Sequence, residues 1–272
     1  MFKRFTVADH VLDQKDFARD EVQYNLIYRI REYEDAVRIK SEDEKLIFTQ
    51  SPGYNPWLWI SQEMGLEQRR DLIQKLVEYV RDHDFPGVSA EPETAQLFAE
   101  SFCEFQEKLF HTYMMLEAYH CLVVKKPANV EGYLRLATEE YSTTIAEFMA
   151  GFSEDAFGKP VQPEMMLPTA EEAVNSGRLY LWIVDDTPVS MANIAHQTLR
   201  HARINDVYTP RAHRKKGYAS AIVAEICSHL LYDEVTPMLY ADAQNPDSNK
   251  VYQSIGFVEA GRIADIKFDL RP

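Results

Sequence analysis

The chain has 272 residues, 46% hydrophobic and 26% charged, with 29 Lys+Arg against 43 Asp+Glu and a net charge of −14. That length holds one large domain or two of about 100–150 residues, and it buries a core without needing disulfides or a metal. The charge is spread evenly, −7 in residues 1–129 and −7 in 130–272, so no basic half or tail exists for a nucleic-acid backbone.

An acidic surface favours cationic or amine substrates, and any anionic ligand then needs a local basic exception. Cys103, Cys121 and Cys227 are few, odd in number and unclustered. They fit a reducing cytosol and give neither a disulfide framework nor a zinc site, so no metal is expected. The opening MFKRFTVADH has charges with no apolar run behind them, unlike a signal peptide. No window approaches the ~20 apolar residues that span a bilayer. A cytoplasmic protein with no membrane partner is expected.

In chain order, residues 4–8 suit a short strand. Residues 11–38 carry Val22, Leu26, Ile27 and Ile30 at near-helical spacing and predict a helix. Strand-like runs follow at 45–50 and 57–61, separated by the turn residues 51–56. A helix is predicted over 67–82, a break at Pro86-Gly87, and a second helix over 93–108. Residues 110–124 read as a long strand or a hairpin. The short polar stretch 125–129 is the best candidate linker, dividing the chain into domains 1–126 and 127–272.

Beyond it the pattern predicts a strand at 132–138, a helix at 139–152, and a short helix at 170–177 ending in a glycine cap. Strands follow at 179–184, 189–196 and 201–209. A helix is expected over 216–231, with Ala219, Ile222, Ile226 and Leu230 on one face. A strand at 238–242, a helix at 247–255 and a strand at 257–268 complete the chain. The order is α/β (α+β), helices around one mixed sheet. The segments 86–102 and 237–257 echo each other weakly, as a diverged duplication would.

The most informative segment is the basic loop between a strand and a helix. Residues 211–216 hold four Arg/Lys and one His, where six average residues of this chain hold fewer than one Arg or Lys. A helix N-terminus offers unpaired N–H groups and the positive end of a dipole. Gly217 lets backbone N–H groups approach an anion with no side chain in the way. The combination suits a pyrophosphate, although neither G-x-x-x-x-G-K-[ST] nor G-x-G-x-x-G is present.

Arg214-Lys215-Lys216-Gly217-Tyr218-Ala219 matches the [RQ]-x-x-G-x-[GA] signature, and Asn245 to Phe257 matches a second signature, N-x-x-(S)-N-x-x-x-Y-x-x-x-G-F. Over about residues 130–270 the chain thus resembles the GNAT superfamily of N-acetyltransferases. The resemblance implies a GNAT-like mixed central sheet and acetyl-CoA as cosubstrate. It places the pantetheine arm against Val207, Tyr208 and Thr209, and the pyrophosphate on Arg214, Lys215, Lys216, Gly217, Tyr218, Ala219 and Ser220. Asn245 and Asn249 are implied on the pantetheine side, and Tyr252 facing the thioester sulfur, as the general acid or a hydrogen-bond donor to the leaving thiolate. Residues 1–126 lack the signature, since Ile60 to Glu67 has a glycine but acidic neighbours. They resemble the degenerate N-terminal copy of tandem members of the superfamily.

An amine attacking a thioester must be neutral, so a base or a water path takes its proton. Candidates are Asp206, Asn193, His196 and His201; Asp206, the residue before Val207, either relays the proton or is a solvated strand-end aspartate. Both histidines flank an expected turn, where exposure is the rule. Tyr54, Trp57 and Trp59 either line an acceptor pocket or belong to the core. The leading reading is acetyl transfer to a small-molecule or peptide amine by a monomer or homodimer. The alternative is a non-catalytic acyl-CoA-binding protein.

Overall fold

The computed structural model describes residues 1–270. They form two compact units, one of residues 1–119, 240–245 and 259–270, the other of residues 120–239 and 246–258.

In the first unit, strands β1 (Phe2–Arg4), β2 (Val37–Ser41), β3 (Leu46–Gln50), β4 (Trp57–Ile60), β5 (Gly87–Ala90) and β6 (Lys108–Cys121) alternate with short helices α1 (Lys15–Arg19) and α2 (Leu26–Ile30) and longer ones α3 (Leu66–Tyr79) and α4 (Pro92–Phe105). The C-terminal strand β12 (Phe257–Leu270) inserts between β5 and β6, giving the order β1-β2-β3-β4-β5-β12-β6. Period-two alternation sends Leu46, Phe48, Leu58 and Ile60 into one core with Leu72, Leu76, Phe98 and Phe102. It sends Ile47, Trp57 and Trp59 into another core with Phe17, Tyr24 and Tyr28. Strands buried on both faces read as continuous apolar runs, which is why LIF and WLWI are visible in the sequence.

The second unit carries β7 (Tyr133–Leu136), α5 (Ser142–Phe157), α6 (Pro163–Asn175), β8 (Leu179–Val184), β9 (Thr187–Gln197), β10 (His201–Tyr208), α7 (Tyr218–Tyr232), β11 (Thr236–Asp242) and α8 (Pro246–Ile255). Its sheet order is β11-β10-β9-β8-β7. Only β10 and β11 run parallel; β7/β8, β8/β9 and β9/β10 are antiparallel. Helix α7 buries Ala221, Ile222, Ile226 and Leu230. Helices α5 and α6 pack together and contribute Ile145, Phe148, Ala170 and Val174 to the core. The element order strand, helix, strand, helix, strand recurs in the two halves, as β4-α3-β5-α4-β6 and β10-α7-β11-α8-β12.

Three expectations differ from the structure. The helix expected over 11–38 breaks into a 3₁₀ turn at His10–Asp13, then α1, turns and α2, and its end becomes β2. Strand β2 escapes notice because its Lys40, 3% exposed, breaks the apolar pattern. The Lys40 ammonium is held by Asp9 Oδ1 at 2.7 Å and Glu44 Oε1 at 2.6 Å. The short strand expected at 4–8 lies earlier, at Phe2–Arg4. Of the two readings of 110–124, the long strand is the one observed, as Lys108–Cys121. Helix α6 starts seven residues before the expected position, at Pro163, and carries Pro168 inside it. A proline fits the first helical position and disrupts the interior, so the sequence hid the first two turns.

Candidate active site

The site is built where β10 ends and α7 begins. Strands β10 and β11 register in parallel only from His201↔Thr236 to Arg203↔Met238. Past that point β10 runs on to Tyr208 without a registered parallel partner. On its other edge β10 bulges against β9: Asn205 faces Asn193 and Tyr208 faces Met191, so three steps on β10 match two on β9. Asp206 takes the strain, with φ of 50°. A bulge bends its strand and re-aims the side chains beside it, so Asp206 sits in a half-buried bulge.

Tyr208 anchors this end of the strand. Its ring packs on Phe148 and Phe152 of α5. Gly151 permits that approach, because a Cβ there would run into the Tyr208 ring and hydroxyl. Burial, then the Asp155 carboxylate, push the Tyr208 phenol up. The Tyr208 carbonyl accepts from Ser190 Oγ at 2.8 Å, and Ser190 Oγ lies 2.8 Å from Thr209 Oγ1.

The loop then turns through a 3₁₀ segment at Arg211–His213. Two of its four basic side chains are clamped. Arg211 Nη2 donates to Asp155 Oδ1 at 2.6 Å, Arg214 Nη2 donates to Asp155 Oδ2, and Arg214 Nε donates to the Thr209 carbonyl at 2.9 Å. Hydrogen bonds from both arginines hold the Asp155 carboxyl below the usual carboxylate range. Lys215 and Lys216 are exposed. Lys216 Nζ lies 6.0 Å from the centre of the Tyr218 ring.

Lys215 and Gly217 both adopt left-handed backbone, with φ of 63° and 86°. Such turns aim successive N–H groups into an anion-binding concavity. A Cβ at Gly217 would also press on Val130. Gly217 is the N-cap of α7, and the first helical bond runs from Ala221 N to Gly217 O at 2.9 Å. The N–H groups of Tyr218, Ala219 and Ser220 therefore have no acceptor inside the helix. Tyr218 is buried, and Ala219 and Ser220 are half-buried.

The second motif falls on α8. Asn245 stands in the turn before it, and Asn249 and Tyr252 lie one helical turn apart on it, both half-buried. The Tyr252 ring meets Phe257 edge-on at 5.9 Å, and burial pushes its phenol up to about 12.

Asn193 stays beside the bulge, its Nδ2 donating to Asn205 Oδ1 at 3.0 Å, whereas the two histidine candidates separate from this end. His201 begins β10, five residues from Asp206, or about 17 Å of extended strand. His196 is buried at 7% exposure on β9, opposite Arg203, where exposure was expected. His120, not singled out in the sequence, has its imidazole pKa lowered by burial and by His201. Of the three aromatics, Trp59 and Trp57 are core, the Trp59 indole donating to Asp20 Oδ2 at 2.8 Å, and Trp57 also lines a cleft of the first unit with Tyr54.

The first unit has its own parallel pair, β4 and β5, registered only at Trp57↔Ser89 and Leu58↔Ala90. A cavity of about 240 Å³ follows, lined by Tyr24, Gln62, Arg69 and Glu91 among others. There the Glu91 carboxylate caps α4, accepting from the N–H groups of Glu93 at 3.2 Å and Thr94 at 3.0 Å. Arg69 pairs with Glu93 at 3.3 Å. The head of α4 is thus filled by an anion of the chain itself.

Residues 145–257, which carry the strand, the basic loop and the glycine-headed helix, match the model of the Acetyltransferase (GNAT) family. The match runs from α5 to the start of β12, and the family that model describes transfers acyl groups from acyl-CoA, with acetyl-CoA as cosubstrate. Solved structures share the fold over the whole chain. A GCN5-related N-acetyltransferase from Sphaerobacter thermophilus has a TM-score of 0.64 at 16% identity, covering 100% of this chain and 96% of that one. A GNAT-family acetyltransferase from Colwellia psychrerythraea has a TM-score of 0.57 at 13% identity, covering 100% of both. A tandem GNAT protein from the clavulanic acid biosynthesis pathway has a TM-score of 0.54 at 13% identity, covering 100% and 99%. No curated protein sequence matches the chain significantly. Among the described residues, no helix is long and apolar enough to cross a membrane, and no group of three or more His, Cys, Asp or Glu could hold a metal.

The Asp155 clamp has a defined pH dependence. Its folded pKa lies below the unfolded value of about 3.9. Its stabilisation is therefore complete above pH ~4 and fades as the pH falls through the folded value. Asp155→Asn should lower the thermal midpoint by about 2 °C at pH 7. The gap to wild type should close toward pH 3, as calorimetry would record; a gap that is constant with pH would contradict the clamp.

Proposed function

We propose that residues 127–272 form an acetyl-CoA-dependent N-acetyltransferase domain, moving an acetyl group to a primary amine of a small molecule or peptide by direct attack in a ternary complex. The observation that carries this reading is the head of α7: left-handed Gly217, three helix-terminal N–H groups and exposed Lys215 and Lys216 in a chain of net charge −14. These fit a pyrophosphate, with Arg214 fixing the loop from the Thr209 carbonyl. The pantetheine arm would lie along Val207, Tyr208 and Thr209, with Asn245 and Asn249 beside it. Residues 1–126 act as a degenerate copy that binds no CoA, in keeping with Glu63 and Glu67 on either side of Gly65 at the head of α3, the counterpart of α7. A cytoplasmic location fits the three thiols, all buried and unpaired by disulfides.

In the reaction the neutral amine nitrogen attacks the thioester carbon, and the carbon–sulfur bond breaks as the tetrahedral adduct collapses. Asp206, in its bulge, relays the proton leaving the amine. Tyr252 faces the departing sulfur. Its phenol, at about 12, stays protonated through the neutral range but is a weaker acid than a thiol, near 8.5. It therefore stabilises the thiolate by donating a hydrogen bond, and the proton lost by the amine completes the thiol.

Isothermal titration with CoA should give one site per chain. Lys216→Glu, an exposed change, should weaken it by about tenfold, or 1.4 kcal/mol. Unchanged affinity would remove the loop from the site, and two sites per chain would overturn the single-copy reading. Tyr252→Phe should leave CoA affinity intact and lower kcat by about 10–100-fold in steady-state assays on an amine substrate. Full turnover would exclude Tyr252 from the reaction, while lost CoA binding would make it a packing residue.

A further inference from the structure

The first unit holds a second, larger cleft, of about 690 Å³, in the size range of small-molecule sites. Its wall is apolar, formed by Leu26 and Ile30 of α2, Trp57 of β4 and Leu116 of β6. Purely apolar contact does not explain its floor. Asn55 and Ser89, 7% and 4% exposed, both donate to the same oxygen, Asp265 Oδ1, with Ser89 Oγ at 3.1 Å. The Asn55 amide also donates to the Ile266 carbonyl at 3.0 Å, and its oxygen accepts from Lys267 Nζ at 3.1 Å. The amide is therefore fixed in orientation.

This network satisfies one carboxylate oxygen and leaves the other differently placed. Asp265 Oδ2 stands 3.9 Å from Lys267 Nζ, an ion-pair distance beyond hydrogen bonding. Burial pushes the Asp265 carboxyl up, so a cationic hydrogen-bond donor at Oδ2 would relieve an existing cost. The opposite charge lines the same cleft: Arg29 on α2, its Nε 3.1 Å from the Tyr33 hydroxyl, and Lys267.

These features select a ligand. A simple organic anion would meet Asp265, and a simple amine would meet Arg29 and Lys267. A plain hydrocarbon would desolvate Asn55, Ser89 and Asp265 without compensation. A molecule carrying both charges beside an apolar body meets every group. We propose that this cleft binds an apolar or aromatic α-amino acid, its ammonium on Asp265, its carboxylate on Arg29 and its side chain against Trp57. All of these residues belong to the first unit, so the proposal does not depend on the transferase reading.

The test is isothermal titration of the full-length chain with phenylalanine, tryptophan and leucine, and with two truncated analogues. 3-Phenylpropanoate lacks the ammonium and 2-phenylethylamine lacks the carboxylate. At least one amino acid should saturate a single site below about 10 mM, with both analogues about tenfold weaker than phenylalanine. Arg29→Gln should weaken the amino acid while sparing 2-phenylethylamine. Asp265→Asn should weaken the amino acid and 2-phenylethylamine while sparing 3-phenylpropanoate. The proposal fails if no amino acid saturates a site, if both analogues bind as well as phenylalanine, or if Arg29→Gln and Asp265→Asn each leave amino-acid affinity unchanged.

Discussion

A chain of net charge −14 repels anions over most of its surface, so any anion it holds must meet a strong local field. Side-chain charge supplies only part of that field here. Arg211 and Arg214 share the single negative charge of Asp155, which leaves the three side chains with one net positive charge. Their role is to fix the loop between β10 and α7, with Arg214 tied to the Thr209 carbonyl. The remaining field comes from Lys215, Lys216 and the backbone, where Gly217 in left-handed geometry opens the first turn of α7. The Asp155 clamp, the Tyr208 anchor on α5 and the bulge at Asp206 all act to present that turn in one geometry.

The two halves share an element order but differ at this point. In each, a strand feeds a helix and pairs in parallel with the next strand for only two or three residues. In the second unit the helix after the gap begins at a glycine with basic neighbours. In the first unit α3 begins at Gly65 with Glu63 and Glu67 nearby, and α4 begins at Glu91, whose carboxylate takes the N–H groups at its own helix head. By element order α3 is the counterpart of α7, so its acidic neighbours mark the difference at the corresponding helix head. The first unit has instead a cleft lined by charges of both signs and by Trp57.

Much of this was legible in the sequence where burial is simple. LIFTQ and WLWI read as strands because both faces are covered, and α7 reads as a helix because Ala219, Ile222, Ile226 and Leu230 share a side. The basic loop stood out against an acidic chain, and its glycine marked the helix head. What stayed hidden depends on partners distant in sequence. Lys40 looks exposed until Asp9 and Glu44 enclose it, so β2 was missed. The bulge at Asp206 exists only relative to β9. Asp155 lies 56 residues before Arg211, and nothing local marks it as the loop's counter-charge. The Asp265 network joins residues up to 212 positions apart. Tyr54 and Trp57 were visible as candidates for a pocket wall, but its polar floor was not.

The central claim is that the first turn of α7 receives the pyrophosphate of CoA. Hydrogen exchange of the backbone amides, followed by mass spectrometry with and without CoA, tests it at those atoms. The expected result is slowed exchange in peptides spanning 215–221, where Tyr218, Ala219 and Ser220 lack intrahelical acceptors, with no change in 61–69. Unaltered exchange over 215–221 at saturating CoA, or protection confined to 61–69, would contradict the account.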